Sequence, residues 1–341
     1  MAEMSDTVAG RSRAAARDRL DAAGASAAGL DVRRALQLGL AAIWLLDGVL
    51  QFQSFMFTKA FGQMIGATSS GSPVIVSHAI NWNAALVEHH LVLLNAIFAT
   101  VQLLLGLGIA YRPTVRLALA ASIVWALGVW WFGEGLGGVL SGVADPVNGA
   151  PGAVIIYALL AVLLWPSDRP VPSGAPAPFV AAHAVGAQVA RALWLGLWGS
   201  LAYFALTPAN RAPQALHDMI AGMESGEPGW LAALDKHSAA LVANQGLAAS
   251  IVLAIALAIV AVGVYLPAPV AKATLVLAIV LAAVIWVVGE AFGTILTGGG
   301  TDPNSGPLLA LLALAYWPLA AAAKPRADRS LADDRPEGIT A

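Results

Sequence analysis

The stretch WWFGEGLGGVLSGVADPVNGAP, residues 130–151, separates two long apolar runs and carries two carboxylates, Glu134 and Asp145. A second stretch, WVVGEAFGTILTGGGTDPNSGP at residues 286–307, repeats the order Trp, Gly-Glu, Gly, Gly, Asp-Pro, Gly, Pro, with Glu290 standing 156 residues after Glu134. Outward from these copies, RALQLGL from Arg34 matches RALWLGL from Arg191, and NAALVEHH from Asn83 matches SAALVANQ from Ser238. Self-similarity at one period reads as an internal repeat. In both copies Asp145-Pro146 and Asp302-Pro303 suit a turn, since Asp caps it, Pro fixes φ and a following Gly supplies positive φ. Glu290, Asp145, Asp302, Pro146 and Pro303 are therefore expected to be loop architecture.

The surroundings of these stretches set the solvent. Of the 341 residues 59% are hydrophobic and 11% charged, and the mean hydropathy is +0.75, too little polar surface for a soluble chain of this size. Crossing a bilayer takes about 20 mostly apolar residues with every backbone group bonded internally. Apolar runs near 35–54, 85–109, 114–136, 151–166, 191–207, 239–264, 269–293 and 306–322 predict eight transmembrane helices in an all-α membrane protein. Each half then holds four helices, so both enter the membrane in the same sense, as two parallel repeats.

The expected organisation is a disordered cytoplasmic tail over 1–32, a first repeat over 33–166, a Pro/Ala-rich linker over 167–190, a second repeat over 191–323 and a tail over 324–341. Arg33, Arg34, Arg112, Arg116, Arg169, Arg191, Lys272, Lys324 and Arg326 fall on alternate loops, which puts those loops and both termini on the cytoplasmic side of the cell membrane. The N-terminus has no early apolar core and does not read as a cleaved signal.

A basic residue followed by ALQLGLAAIWLLDGVLQF, an outer loop, and LLLGLGIAYRPTVRLALAASIVWAL as a tight basic turn between helices resembles the DoxX-like superfamily. The resemblance covers both halves. It implies four-helix membrane units and roles ranging from subunits of thiosulfate:quinone oxidoreductases to accessory partners of redox enzymes. The Gly-Glu and Asp-Pro stretches lie outside that pattern.

Differences between the halves point to chemistry. Glu88, His89 and His90 are expected to open the second helix, and their counterparts are Ala243, Asn244 and Gln245. Asp47, about 18–20 Å along its helix and so near the midplane, has Phe204 as counterpart. A carboxylate at that depth costs a few kcal/mol unless it faces a polar interior. Glu88, Asn95 and Gln102 recur every seven residues, which places them on one helical stripe, and Asp47 and Gln51 share a face at i, i+4. If those faces meet, a polar track runs inward from Glu88, with Glu134 beside it. The bland alternatives are a polar cap at the interface for Glu88, His89 and His90, and a hydrogen-bonded structural acid for Asp47.

Asp47 and Glu88 are the candidate proton-exchanging or catalytic groups, with Gln51, Asn95, Gln102 and Glu134 lining the track. His78, His89 and His90 are the candidate ligands for a divalent metal, zinc or copper by their donor type. Gly135, Gly137, Gly138 and Gly142 are expected to let helices approach closely, and the tryptophans to anchor at the interfaces. Absence of cysteine excludes disulfides, iron–sulfur clusters and haem c attachment. GEGLGG follows no strand, which excludes a dinucleotide site, and scattered basic residues exclude nucleic acid as a partner. Three classes remain open: a lipid-embedded protein with an outer-facing polar cavity for a proton, metal ion or small solute, a quinone-interacting subunit fed by a soluble or membrane redox partner, and a structural subunit of a membrane complex.

Overall fold

A hydrophobic chain that must satisfy its own backbone folds into helices, and the computed structural model, which describes residues 32–167 and 178–319, contains no strand among them. Helix α1 spans 32–50. It is followed by α2 (Lys59–Ala67), α3 (Val74–His89), α4 (Leu91–Ala110), α5 (Val115–Phe132) and α6 (Ala153–Leu163). From residue 178 onward come α7 (Val180–Val185), α8 (Ala187–Ala205), α9 (Ala215–Gly222), α10 (Gly229–Val242), α11 (Gly246–Gly263), α12 (Ala268–Val284) and α13 (Ser305–Ala315).

Four segments among the described residues are long and apolar enough to cross a membrane: Leu91–Ala110, Arg112–Phe132, Gly246–Gly263 and Ala268–Gly289. The apolar helices α6 and α13 have 11 residues each, a rise of about 17 Å.

Several expectations are corrected. The run 85–109 is not one helix, because α3 ends at His89 and α4 begins at Leu91. His90, at φ −130° and ψ 39°, ends one ladder and starts the next: its N–H donates to Leu86 O at 3.1 Å, and its carbonyl accepts from Leu94 N at 2.9 Å. No Gly or Pro marks the break, so hydropathy runs through it. The run 239–264 divides likewise, between α10 and α11, where Asn244 takes φ 60°. The end of the expected linker is helical and packed, with Val180, Ala181 and Ala182 buried on α7. Residues 1–31, 168–177 and 320–341 lie outside the described residues, and with them almost all of the expected tail over 1–32, part of the linker over 167–190 and the whole tail over 324–341.

Helix α1 is central because its polar groups reach three other parts of the chain. Arg34 Nη1 donates to Ile109 O at 2.9 Å and Nη2 donates to Ala110 O, so a cation neutralises the negative end of α4. Gln37 Nε2 donates to Leu164 O at 2.8 Å, beyond α6, and Trp44 Nε1 to Ser122 Oγ on α5 at 3.0 Å. In the second half Trp194 Nε1 donates to Val260 O at 2.8 Å, tying α8 to α11. Trp44, Trp194, Trp198, Tyr157 and Tyr316 fill the common core, where α6 and α13 meet.

Contact between α1 and α4 relies on glycines that the sequence reading did not single out. A Cβ on Gly48 would lie 2.7 Å from Leu103 Cγ, and one on Gly106 would lie 2.6 Å from Leu45 Cγ and 2.9 Å from Ala41 O. Gly106→Ile is thus expected to force α1 and α4 apart and to destabilise the protein by about 1–3 kcal/mol. A thermal-unfolding midpoint in detergent close to that of the wild type would contradict this packing.

Candidate functional site

The two repeated stretches take the same backbone path. In the first, the N–H groups of Gly133 and Glu134 both donate to Val129 O, at 2.7 and 3.0 Å, and Gly137 N donates to Glu134 O at 2.9 Å. In the second, Glu290 N donates to Ile285 O at 2.9 Å and Gly293 N to Glu290 O at 2.7 Å. Each helix then reverses hand for one turn. Gly135, Leu136, Gly137 and Gly138 have φ of 57°, 57°, 61° and 70°, and Ala291, Phe292, Gly293 and Thr294 have 45°, 57°, 69° and 53°. Non-glycine residues resist this conformation by about 1–2 kcal/mol each, so surrounding contacts must hold it. Gly135, Gly137 and Gly138 therefore serve the left-handed turn and tight loop contacts rather than helix approach: a Cβ on Gly137 would fall 1.9 Å from Pro151 O.

The repeated glutamates provide those contacts. Glu134 Oε1 accepts from Val154 N at 3.2 Å, at the start of α6. Glu290 Oε1 accepts from Ser305 N at 3.2 Å and from the Ser305 hydroxyl, and its Oε2 accepts from Gly306 N at 3.1 Å, at the start of α13. Each carboxylate thus meets the positive end of a short helix. Trp130 Nε1 donates to Pro151 O at 2.7 Å, a loop bond in place of the anchoring expected for it. Asp145 Oδ1 accepts from Val147 N at 2.8 Å and Asp302 Oδ1 from Asn304 N at 2.7 Å, closing equivalent turns around Pro146 and Pro303.

Each stretch is also gripped from the opposite half. Gln53, just past α1, donates through Nε2 to Gly300 O at 3.0 Å, and Asn210, just past α8, donates through Nδ2 to Ala144 O at 2.8 Å. Between the stretches, a Cβ on Gly149 would lie 2.7 Å from Asn304 Oδ1 and 3.4 Å from Glu290 Oε1.

The first-half candidates Asp47, Gln51 and Asn95 lie at the end of α1 and on α4. Asp47 is 2% exposed; its Oδ2 accepts from Tyr157 OH at 2.6 Å, and its Oδ1 is sealed without a hydrogen-bond partner. Because α1 ends at 50, Asp47 occupies its last turn. A negative charge there opposes the helix dipole, so the residue does nothing for α1 itself. Asn95 Nδ2 donates to Gln51 O at 2.7 Å, which joins the two helices as expected, and Gln51 Oε1, Asn95 Oδ1 and Gln102 Oε1 are sealed without partners. Tyr157 was not legible as a site residue, its only signal being one hydroxyl in the otherwise apolar segment AVIIYALLAVL.

Other candidates sit elsewhere. Glu88 belongs to α3, not to the stripe of Asn95 and Gln102 on α4, and its Cγ would be 2.4 Å from a Cβ on Gly62. His78, His89 and His90 are exposed, and His89 Nδ1 lies 2.6 Å from Ala85 O of its own helix. Among the described residues no three His, Asp or Glu side chains converge on a metal-binding arrangement. The reason is geometric: the helix break at His90 turns the segment, and His78 lies near the other end of α3. A groove of about 220 Å³ on α4, lined by Leu93, Ala96, Ile97, Thr100 and Val101, is apolar and holds none of the candidates.

Comparison with family models, curated proteins and solved structures returns no match. The site is therefore argued from its own chemistry.

Burial raises the Glu134 carboxyl from the ordinary 4.5 to about 8, with the charge of Asp302 adding to the rise and the Val154 N–H opposing it. Burial likewise raises Glu290 from 4.5 to about 7 against the bonds from Ser305 and Gly306. The folded chain thus keeps protons that the unfolded chain has lost. Their stabilising contribution is complete below the ordinary value and disappears as pH rises through about 7 for Glu290 and about 8 for Glu134. The melting midpoint in detergent is expected to fall as pH rises from about 5 to about 9, and the fall is expected to shrink in the E134Q/E290Q double variant. A slope unchanged in that variant would assign the pH dependence elsewhere. Glu290→Ala, which leaves buried donors unpaired, is expected to cost about 2 kcal/mol or more and to lower the midpoint further than Glu134→Ala does.

Proposed function

We propose that the chain is a multi-pass protein of the cell membrane, with eight crossing helices in two tandem four-helix units of DoxX-like type and both termini cytoplasmic. Support comes from the four long apolar segments and from the 19-residue helices over 32–50 and Ala187–Ala205 at matching places. The short α6 and α13 follow equivalent left-handed turns, which fits a duplicated unit whose fourth crossing is completed by the capped loop before it. Basic residues support the orientation: Arg34 sits on the end of α4, Arg116 Nη2 donates to Pro166 O at 3.3 Å, and the Arg191 guanidinium stands 5.8 Å from the Tyr265 ring.

Within that frame the protein handles a proton, by itself or as an accessory subunit, and Asp47 is the group that holds it. The observation that carries this reading is a buried carboxyl in the last turn of α1 with one oxygen bonded to a buried tyrosine and the other sealed without a hydrogen-bond partner. An intramembrane acid so placed is unfavourable unless it serves a task. A partly bonded carboxyl beside a phenol can take up and release a proton with little rearrangement.

Purified protein in proteoliposomes enclosing a pH-sensitive dye is expected to dissipate an imposed pH gradient. Asp47→Asn, nearly isosteric but unable to exchange the proton, should slow this about a hundredfold, and Tyr157→Phe should slow it less. Equal rates for wild type and D47N would remove the proposal.

A further inference from the structure

Helices α3 and α10 hold matching places in the two halves and start in the same way. Pro73 caps α3 at φ −55° and ψ 151°, and Pro228 caps α10 at φ −56° and ψ 141°. Each proline carbonyl accepts at 2.9 Å from the residue three positions on, Val76 N or Leu231 N. That common start sets the register: Val76, Ile80 and Ala84 line the buried face of α3, and Leu231, Asp235 and Ala239 line that of α10. Ile80 belongs to an apolar cluster with Phe61, Ile65, Val76, Val87 and Leu136. Its counterpart Asp235 is 0% exposed.

A carboxylate in a core position needs a donor or a cation. Asp235 meets another acid instead. Glu227, the residue before the capping proline, stands where a side chain packs back on the first turns of its helix, and its carboxyl lies in hydrogen-bonding reach of Asp235. Glu227 Oε1 and Oε2 and Asp235 Oδ1 and Oδ2 are all sealed, and no donor among the described residues serves any of them. The charged groups nearby do not fill that place. Lys236 and His237 are exposed on α10; on α9, His217 Nδ1 and Asp218 Oδ1 hold each other at 2.9 Å; and Glu290, in the second stretch, is bonded to Ser305 and Gly306. Glu224 adds only a further negative charge. Two carboxylates accept but do not donate, and like charges in a sealed place do not both ionise. A bond between them therefore exists only with a proton on one of the two.

We propose that Glu227 and Asp235 form a carboxyl pair that binds one proton between them, a site that the first half lacks, and that this proton fastens the 224–228 loop to α10. The first half has Ser72 and Ile80 at these positions and secures α3 by apolar packing. The fastened loop also touches the second repeated stretch, where a Cβ on Gly226 would lie 3.7 Å from Thr297 Cβ. Occupancy by the proton thus governs how firmly this cap sits on the stretch. Burial, with the bond to Asp235 adding to it, raises the Glu227 carboxyl from the ordinary 4.5 to about 7, and burial raises Asp235 as well. The two acids titrate as a unit. Their stabilising contribution is complete below the ordinary carboxyl range and is lost as pH rises through about 7. None of this depends on Asp47.

Hydrogen–deuterium exchange of the full protein in detergent, corrected for the intrinsic effect of pH on exchange, tests the pair locally. Protection of residues 229–242 is expected to fall about tenfold between pH about 6 and about 8.5, while residues 74–89 of the first half, the internal control, keep theirs. Asp235→Asn and Glu227→Gln each put an amide donor where the proton sits, and each should make protection of 229–242 independent of pH. Absence of the fall in wild type overturns the proposal, as does a wild-type fall in both variants. Recovery of protection at the higher pH on adding calcium or magnesium would assign the pair to a metal ion and overturn it equally.

Discussion

A helix that stops inside apolar surroundings leaves N–H and C=O groups that no water can satisfy, and the rest of this structure follows from how those groups are answered. The chain stops twice, after α5 and after α12, and both times a glutamate turns back to receive N–H groups at the start of the next short helix. The left-handed turn brings each glutamate to that position, at a conformational cost that Phe292 and Thr294 accept without glycine's freedom. Once the stretches are held in this way they pack on one another, Gly149 against Asn304 and Glu290.

Much of this was legible because the chain states it twice. Hydropathy sufficed for helices, and duplication of Glu134 and Asp145 as Glu290 and Asp302 pointed to architecture, in agreement with their hydrogen bonds. What single-letter patterns did not reveal was direction. The run through Glu88, His89 and His90 is continuously permissive for helix, so the turn at His90 was invisible, and with it the separation of Glu88 from Asn95 and Gln102. Tyr157 escaped notice for the opposite reason: one hydroxyl in an apolar segment becomes meaningful only when its partner, 110 positions earlier, is known.

The asymmetry between halves is equally a matter of partners. Comparing Asp47 with Phe204 identified a difference in the sequence, but not that Gln53 and Asn210, just past α1 and α8, each bond the loop of the other half. That exchange accompanies unlike surroundings at the two helix ends. Phe204 packs on Ala144 and Ala150 of the first stretch, whereas Asp47 takes a hydrogen bond from Tyr157.

The bonds of α1 also bear on how the protein is assembled during synthesis. Its polar groups find partners in chain order: Arg34 on the end of α4, Trp44 on Ser122 of α5, Gln37 on Leu164, with Gly39 finally receiving Leu311 of α13. Helix α1 thus keeps unmatched donors until much later segments are made. Its seat is completed by α13, so a nascent chain halted before that helix carries an open, polar-lined face.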